Sequence, residues 1–112
     1  MLAEVISTSH GQTKRVSAKY VTDKLTKDEA KKILPELINN VRKNNHVVNV
    51  YLYENTKQKR YENAYCRAQW SRADAVHVPN ITEDEIINGN VYVKWVSYHD
   101  ALKEIIDKEE NT

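Results

Sequence analysis

Residues 26–41 read TKDEAKKILPELINNV, and this stretch decides the fold. Its apolar side chains recur at spacings of three and four residues, at Ala30, Ile33, Leu34, Leu37, Ile38 and Val41. On the helical period of about 3.6 residues these positions form one stripe, which predicts an amphipathic helix lying on another layer of structure. Thr26 and Glu29 have the spacing of a capping box, so we expect the helix to begin there.

Pro35 lies inside this helix and removes one amide donor, which predicts a bend. The apolar stripe keeps its phase on both sides of Pro35, so we expect the helix to continue through it. Asn44 and Asn45 predict its end, since asparagine tolerates the left-handed backbone that often follows a helix.

Segments with the pattern of strands lie on both sides of the helix. Residues 2–9 and 14–21 flank His10-Gly11-Gln12-Thr13, which predicts a β-hairpin. Residues 47–53 are apolar on both faces, which favours a central strand. Residues 63–70 alternate small or apolar side chains with larger polar ones, and this alternation predicts the next strand.

Residues 71–112 contain short segments with mixed signals for strand, helix and loop. Residues 71–80 fit either a short strand near Val76 and Val78 or a loop. Thr82 and Glu85 match a second capping box, which predicts a short helix that Asn88-Gly89-Asn90 stops. Residues 91–96 alternate as a last strand. Ser97 and Asp100 then favour a final helix with Ala101, Leu102, Ile105 and Ile106 on its apolar side.

These elements predict a single α+β domain over residues 1–112, in the order β-β-α-β-β-(β)-short α-β-α. Most links are too short for crossovers, so we expect a mostly antiparallel sheet with one layer of helix packed on it. The other face of the sheet is expected to carry tyrosines and polar residues.

Composition excludes several classes of protein. The apolar fraction of 40% and the charged fraction of 29% are typical of a globular domain. The start of the chain lacks the layout of a signal peptide and no segment is apolar enough to span a bilayer, so we expect a cytoplasmic location without a membrane partner. Cys66 is the only cysteine, which excludes an internal disulfide and fits a reducing compartment.

Charge is distributed unevenly along the chain. Residues 1–81 carry 14 Lys and Arg against 8 Asp and Glu, a balance of +6, whereas residues 82–112 carry 3 against 8, a balance of −5. Such polarity can steer a charged partner or pair within the molecule.

Residues for catalysis or metal binding are sparse. Alternation places Cys66 on the helix-facing side of its strand, where we expect core packing rather than nucleophilic chemistry. No two histidines have the spacing of metal ligands. In the pair His99-Asp100, we interpret Asp100 as a helix-cap residue and His99 as its exposed neighbour. We therefore predict no catalytic residue, metal or cofactor. An enzyme would need a cleft that joins at least two of the candidates His77, His99, Asp74, Asp100 and Cys66.

A basic and aromatic segment at residues 57–72 indicates nucleic-acid binding as an alternative function. Its candidate contacts are Lys57, Lys59, Arg60, Tyr61, Arg67 and Arg72. Residues 26–109 also have the predicted order α-β-β-β-α, which is the order of double-stranded RNA-binding domains, but the charge argues against that family. In that family the last helix presents lysines at its start, and the corresponding residues here are Tyr98-His99-Asp100-Ala101.

The chain has seven tyrosines and two tryptophans but no phenylalanine. Tyrosine and tryptophan are enriched where one end of the side chain is buried and the other end contacts water, as in protein interfaces. We expect a protein-interaction patch on the sheet, formed by Tyr51, Tyr53, Tyr65 and Tyr92.

The stretch from Val50-Tyr51-Leu52-Tyr53 through Ala64-Tyr65-Cys66-Arg67-Ala68-Gln69-Trp70-Ser71, about a fifth of the chain, resembles small α+β domains of unassigned function in bacterial and phage proteins. That resemblance implies no activity. The first hypothesis is therefore a non-enzymatic protein-interaction module, an accessory protein of a phage or mobile element. It would bind a host protein or a second copy through the tyrosine face or through an exposed sheet edge.

Overall fold

The computed structural model describes residues 2–7, 9, 13–73 and 83–110. The chain forms one mixed six-stranded sheet with three helices, which confirms the α+β class. The elements in chain order are β1 (Leu2–Ser7), β2 (Arg15–Val21), α1 (Lys27–Val41), β3 (Val47–Tyr53), α2 (Thr56–Arg60), β4 (Cys66–Ser71), β5 (Glu85–Ile87), β6 (Val91–Trp95) and α3 (His99–Glu110).

The strands lie in the order β1-β2-β3-β4-β6-β5, and four of the five neighbouring pairs are antiparallel. The predicted hairpin of β1 and β2 and the central position of β3 are both confirmed. The parallel pair is β2 and β3, which runs in register from Arg15 beside Val47 to Val21 beside Tyr53. Because parallel neighbours need a crossover, α1 supplies the link between them.

Helix α1 forms as its sequence predicts. The Thr26 hydroxyl accepts from the amide of Glu29, and the Glu29 carboxylate accepts from the amide of Thr26, which completes the capping box. The helix continues through Pro35, and Asn44 adopts a left-handed φ of 65° just after its end. Ala30, Leu34 and Ile38 are buried against the sheet.

The core lies between α1 and one face of the sheet. Alternate residues of β2, β3, β4 and β6 face it, and their register aligns Val50 with Ala68 and Ala68 with Val93. The opposite face carries Tyr51, Tyr53 and Tyr92 together with polar side chains, as expected.

The predicted short helix after Thr82 is wrong. Thr82 lies outside the described residues, and Glu85–Ile87 is the edge strand β5, paired antiparallel with β6. Asn88 and Gly89 both have positive φ, at 54° and 76°, and the amide of Asn90 donates to the carbonyl of Ile87. This is a tight turn of the kind that Asn-Gly favours in hairpins, so the dipeptide connects two strands instead of ending a helix. Of the undecided segment 71–80, Ser71 belongs to β4, and residues 74–80 lie outside the described residues.

Two further differences concern helices. Residues 54–62 contain the five-residue helix α2, which Asn55 caps by accepting from the amide of Gln58. Helix α3 begins at His99, and of its four apolar residues only Ile106 is buried. Within the described ranges, every helix is too short or too polar to span a bilayer.

Candidate functional site: the free edge strand

Strand β1 is an edge of the sheet with an apolar and accessible surface. Among the described residues it pairs only with β2, so one row of its backbone amides and carbonyls faces away from the sheet. Its side chains are exposed as well: 47% of Leu2, 49% of Val5 and 39% of Ile6 is accessible. The apolar residues of β2, by comparison, are buried or half-buried. An exposed apolar edge of this length is a template for pairing with another strand.

The only charged side chain of β1 is neutralised from within the molecule. The Lys59 ammonium donates to the Glu4 carboxylate at 2.9 Å, and the Lys19 ammonium lies 3.9 Å from the same carboxylate oxygen. The hydrogen bond from Lys59 and the two positive charges lower the pKa of Glu4. Strand β1 therefore presents little net charge to a neighbour.

The register of β1 is interrupted near its start. Leu2 pairs with Tyr20 and Glu4 pairs with Lys19, so Ala3 is an extra residue of a β-bulge. From Glu4 to Ser7 the pairing with β2 is regular. A strand that adds to this edge has the continuous stretch Glu4–Ser7 to pair with.

The four tyrosines proposed for an interface do not form one exposed patch. Tyr53 is buried and its hydroxyl donates to the Glu62 carboxylate at 2.7 Å. Tyr65 is also buried, with its hydroxyl 2.9 Å from that of Thr22, and burial raises the pKa of Tyr65 to about 12. Tyr51 and Tyr92 are half-buried on the sheet face opposite α1.

The basic residues proposed for nucleic-acid binding are dispersed. The ammonium of Lys57 lies 3.5 Å from the Asp107 carboxylate, and Lys59 is bonded to Glu4. The Arg60 guanidinium lies over the ring of Tyr61, which is exposed. The other two candidates are elsewhere: Arg67 lies within β4 on the face opposite α1, and Arg72 follows the far end of that strand.

A cleft of about 680 Å³ lies between the start of α1, the start of β5, the end of β6 and the start of α3. Trp95 forms part of its wall, and the ammonium of Lys27 lies 5.5 Å from the centre of a Trp95 ring. The acidic side chains of the cleft are engaged within the molecule. The Asp84 carboxylate accepts a hydrogen bond from the backbone amide of Trp95. The Glu85 carboxylate accepts from the indole N–H of Trp95 and from the Lys31 ammonium. The Asp100 carboxylate accepts from the Lys24 ammonium.

This cleft brings together His99 and Asp100, two of the five candidates for an enzyme site. Contrary to the sequence interpretation, His99 is not exposed, since only 2% of it is accessible. Its Nδ1 lies 3.0 Å from the Asn63 carbonyl and its Nε2 lies 3.2 Å from the Glu54 carboxylate, so both ring nitrogens are occupied. This arrangement holds α3 in place and leaves no free nitrogen to act as a base.

Of the three remaining enzyme candidates only Cys66 lies among the described residues, and it is not part of the wall of the cleft. Cys66 is buried in the core, where burial raises the pKa of its thiol to about 12. Asp74 and His77 lie outside the described residues. In the part of the chain that the structure describes, no three His, Cys, Asp or Glu side chains are grouped to hold a metal ion.

The anchor of α3 was not apparent in the sequence. Asn63 is buried, and its amide donates to the Gln58 side chain at 2.8 Å and to the His99 carbonyl at 2.9 Å. Glu54 accepts from Lys103 at 2.8 Å as well as contacting His99. Burial acts to raise the pKa of Glu54, but the hydrogen bonds from Lys103 and His99 outweigh it and lower that pKa. Asn63 and Glu54 lie 36 to 49 residues from their partners in α3, so no local pattern indicates these contacts.

Comparison with known proteins yields no match among family models, curated proteins or solved structures.

Proposed function

We propose that this chain is a non-enzymatic protein-interaction module that accepts an additional strand at the free edge of β1. The observation that carries the proposal is a backbone edge without a second strand partner in the described part of the chain, combined with the exposed side chains of Leu2, Val5 and Ile6. Backbone hydrogen bonds at such an edge provide affinity, and alternate side chains provide specificity. The cytoplasmic location and the role as a phage or mobile-element accessory protein belong to the same proposal, supported by the lone cysteine and the sequence resemblance.

The charges favour a protein partner over a nucleic acid. Lys57 and Lys59 of the basic segment contact Asp107 and Glu4, so binding a phosphate backbone would require these ion pairs to open. The apolar side chains of β1, in contrast, are accessible without any rearrangement. An apolar strand edge suits another polypeptide strand and has no counterpart in the recognition of phosphates.

The test is capture of a partner with a tagged chain and two matched variants. Val5→Lys places a charge on the edge of β1, and Ile105→Lys makes the same change at a residue of α3 that is 54% exposed. Lysine on an edge strand opposes further pairing. We expect the wild type and Ile105→Lys to retain the same partner and Val5→Lys to bind it at least about tenfold more weakly. Retention of that partner by Val5→Lys would overturn the proposal.

A further inference from the structure

We infer that the strand taken up at β1 is the β1 strand of a second copy of this chain, paired antiparallel about a two-fold axis at Val5. The inference rests on the proposed function, because it names the occupant of the same edge. Pairing of two copies joins two six-stranded sheets into one continuous sheet.

Charge supports an identical partner. Strand β1 carries one charged side chain, Glu4, and in each copy Lys59 and Lys19 already contact it. Two such strands can therefore approach without bringing together uncompensated like charges. A partner strand rich in lysine would compete with Lys59 for Glu4, and an acidic strand would meet no cation on β1, which has no lysine or arginine.

The side-chain faces select the register. Val5 lies beside Ala18 on the face that α1 covers, whereas Glu4 and Ile6 lie beside Lys19 and Ser17 on the opposite face. A two-fold axis perpendicular to the sheet keeps each face on its own side, so residues that oppose one another must come from the same face. The axis must then pass through a residue and not between two residues.

Of the centres at Glu4 and Val5, the strand favours Val5. An axis at Glu4 would place the two Glu4 side chains directly opposite, and like charges in that position are destabilising. An axis at Val5 opposes Val5 to Val5 and Glu4 to Ile6, so a β-branched pair meets on one face. The aliphatic stem of Glu4 covers Ile6 on the other face. This register uses the regular part of β1 and leaves the bulge at Ala3 outside the paired centre.

Disulfide trapping tests the register. With the axis at Val5, the two Cα atoms of a Val5→Cys variant lie about 4.5 to 5.5 Å apart, within reach of a disulfide. Ser7→Cys is the matched control on the same face, since each Ser7 would oppose Ala3 and lie four residues, about 13 Å, from its own counterpart. Cys66 does not interfere because it is buried. We expect Val5→Cys to form a covalent dimer under mild oxidation at least about tenfold faster than Ser7→Cys.

Sedimentation equilibrium tests the partner. We expect a concentration-dependent dimer for the wild type and for Ile105→Lys, and a dissociation constant at least about tenfold higher for Val5→Lys. A wild type that stays monomeric at its solubility limit would overturn the inference, as would equal trapping of Ser7→Cys and Val5→Cys. If the wild type is monomeric but captures a cellular partner that Val5→Lys loses, the inference of a second copy is overturned and the proposed function stands.

Discussion

Cys66 shows how position within the fold determines the chemistry of a side chain. The residue lies on β4 beneath α1, and burial raises the pKa of its thiol to about 12. At pH 8 the thiolate, which is the reactive form, is therefore nearly absent. We expect the native protein to resist Ellman's reagent and the protein in guanidinium to react with one equivalent. Rapid reaction of the native protein would contradict the burial of Cys66.

Glu54 gives the α3 anchor a defined dependence on pH. Its pKa is lowered in the folded state, so its stabilising contribution is present above the ordinary pKa of glutamate and is lost as pH falls through the folded value. We expect Glu54→Gln to reduce the free energy of unfolding at pH 7 by about 1 to 3 kcal/mol. The difference between variant and wild type should shrink below about pH 4, as urea titrations at several pH values would show. A difference that stays constant from pH 7 to pH 3 would contradict the role of the carboxylate.

Helix α1 is the element whose packing holds the core together. Leu34 is fully buried between α1 and the sheet, whereas Glu36 on the same helix is exposed. We expect Leu34→Ala to lower the free energy of unfolding by about 2 to 5 kcal/mol, since it removes buried methyl groups and leaves a cavity. Glu36→Ala is the control and should change it by less than about 0.5 kcal/mol. Equal effects of the two substitutions, measured by urea denaturation, would mean that the stripe does not face the sheet.

The turn between β5 and β6 depends on a left-handed backbone. Gly89 has a φ of 76°, and a Cβ added there would meet no atom within 4 Å. We expect Gly89→Ala to cost about 1 kcal/mol, because the penalty is purely conformational. Asn90→Ala, at the next position, is the control. A neutral Gly89→Ala, judged by the midpoint of thermal unfolding, would argue against this turn.

Sequence patterns predicted the long elements and not the short ones. The stripe of α1 and the apolar run of β3 each give several consistent signals, so β3 has the predicted ends, and α1 begins directly after Thr26 and ends three residues before Asn44. In residues 82–90 two local signals conflicted, and the Asn88-Gly89 turn outweighs the capping pattern because β5 gains hydrogen bonds from β6. The short helix α2 has too few residues for periodicity to indicate it.

The candidate site was predictable only in outline. A hairpin at the start of the chain implies that an exposed sheet edge exists, but the sequence does not show which strand forms it. That depends on β3 pairing in parallel with β2 and leaving β1 outermost. The burial of Tyr53 and Tyr65 likewise depends on Glu62, Thr22 and other partners brought together by the fold.

At the scale of the whole molecule, the uneven charge of the sequence is largely satisfied internally. Acidic residues from the last third contact lysines of the first two thirds, as in the pairs of Lys57 with Asp107 and Lys31 with Glu85. Lys24 and Asp100 form a third such pair. The charge polarity therefore helps to join distant segments of the chain.

Hydrogen exchange at different protein concentrations tests the role of this edge most directly. Among the described residues of a single copy, the edge amides that face away from β2 have no strand partner, so we expect them to exchange quickly, whereas pairing with a second β1 would protect them. We predict that the amides of Glu4–Ser7 that face outward become protected as the concentration rises, while Val5→Lys shows no such change. Exchange in β1 that is independent of concentration in the wild type would contradict the pairing of two copies at this edge.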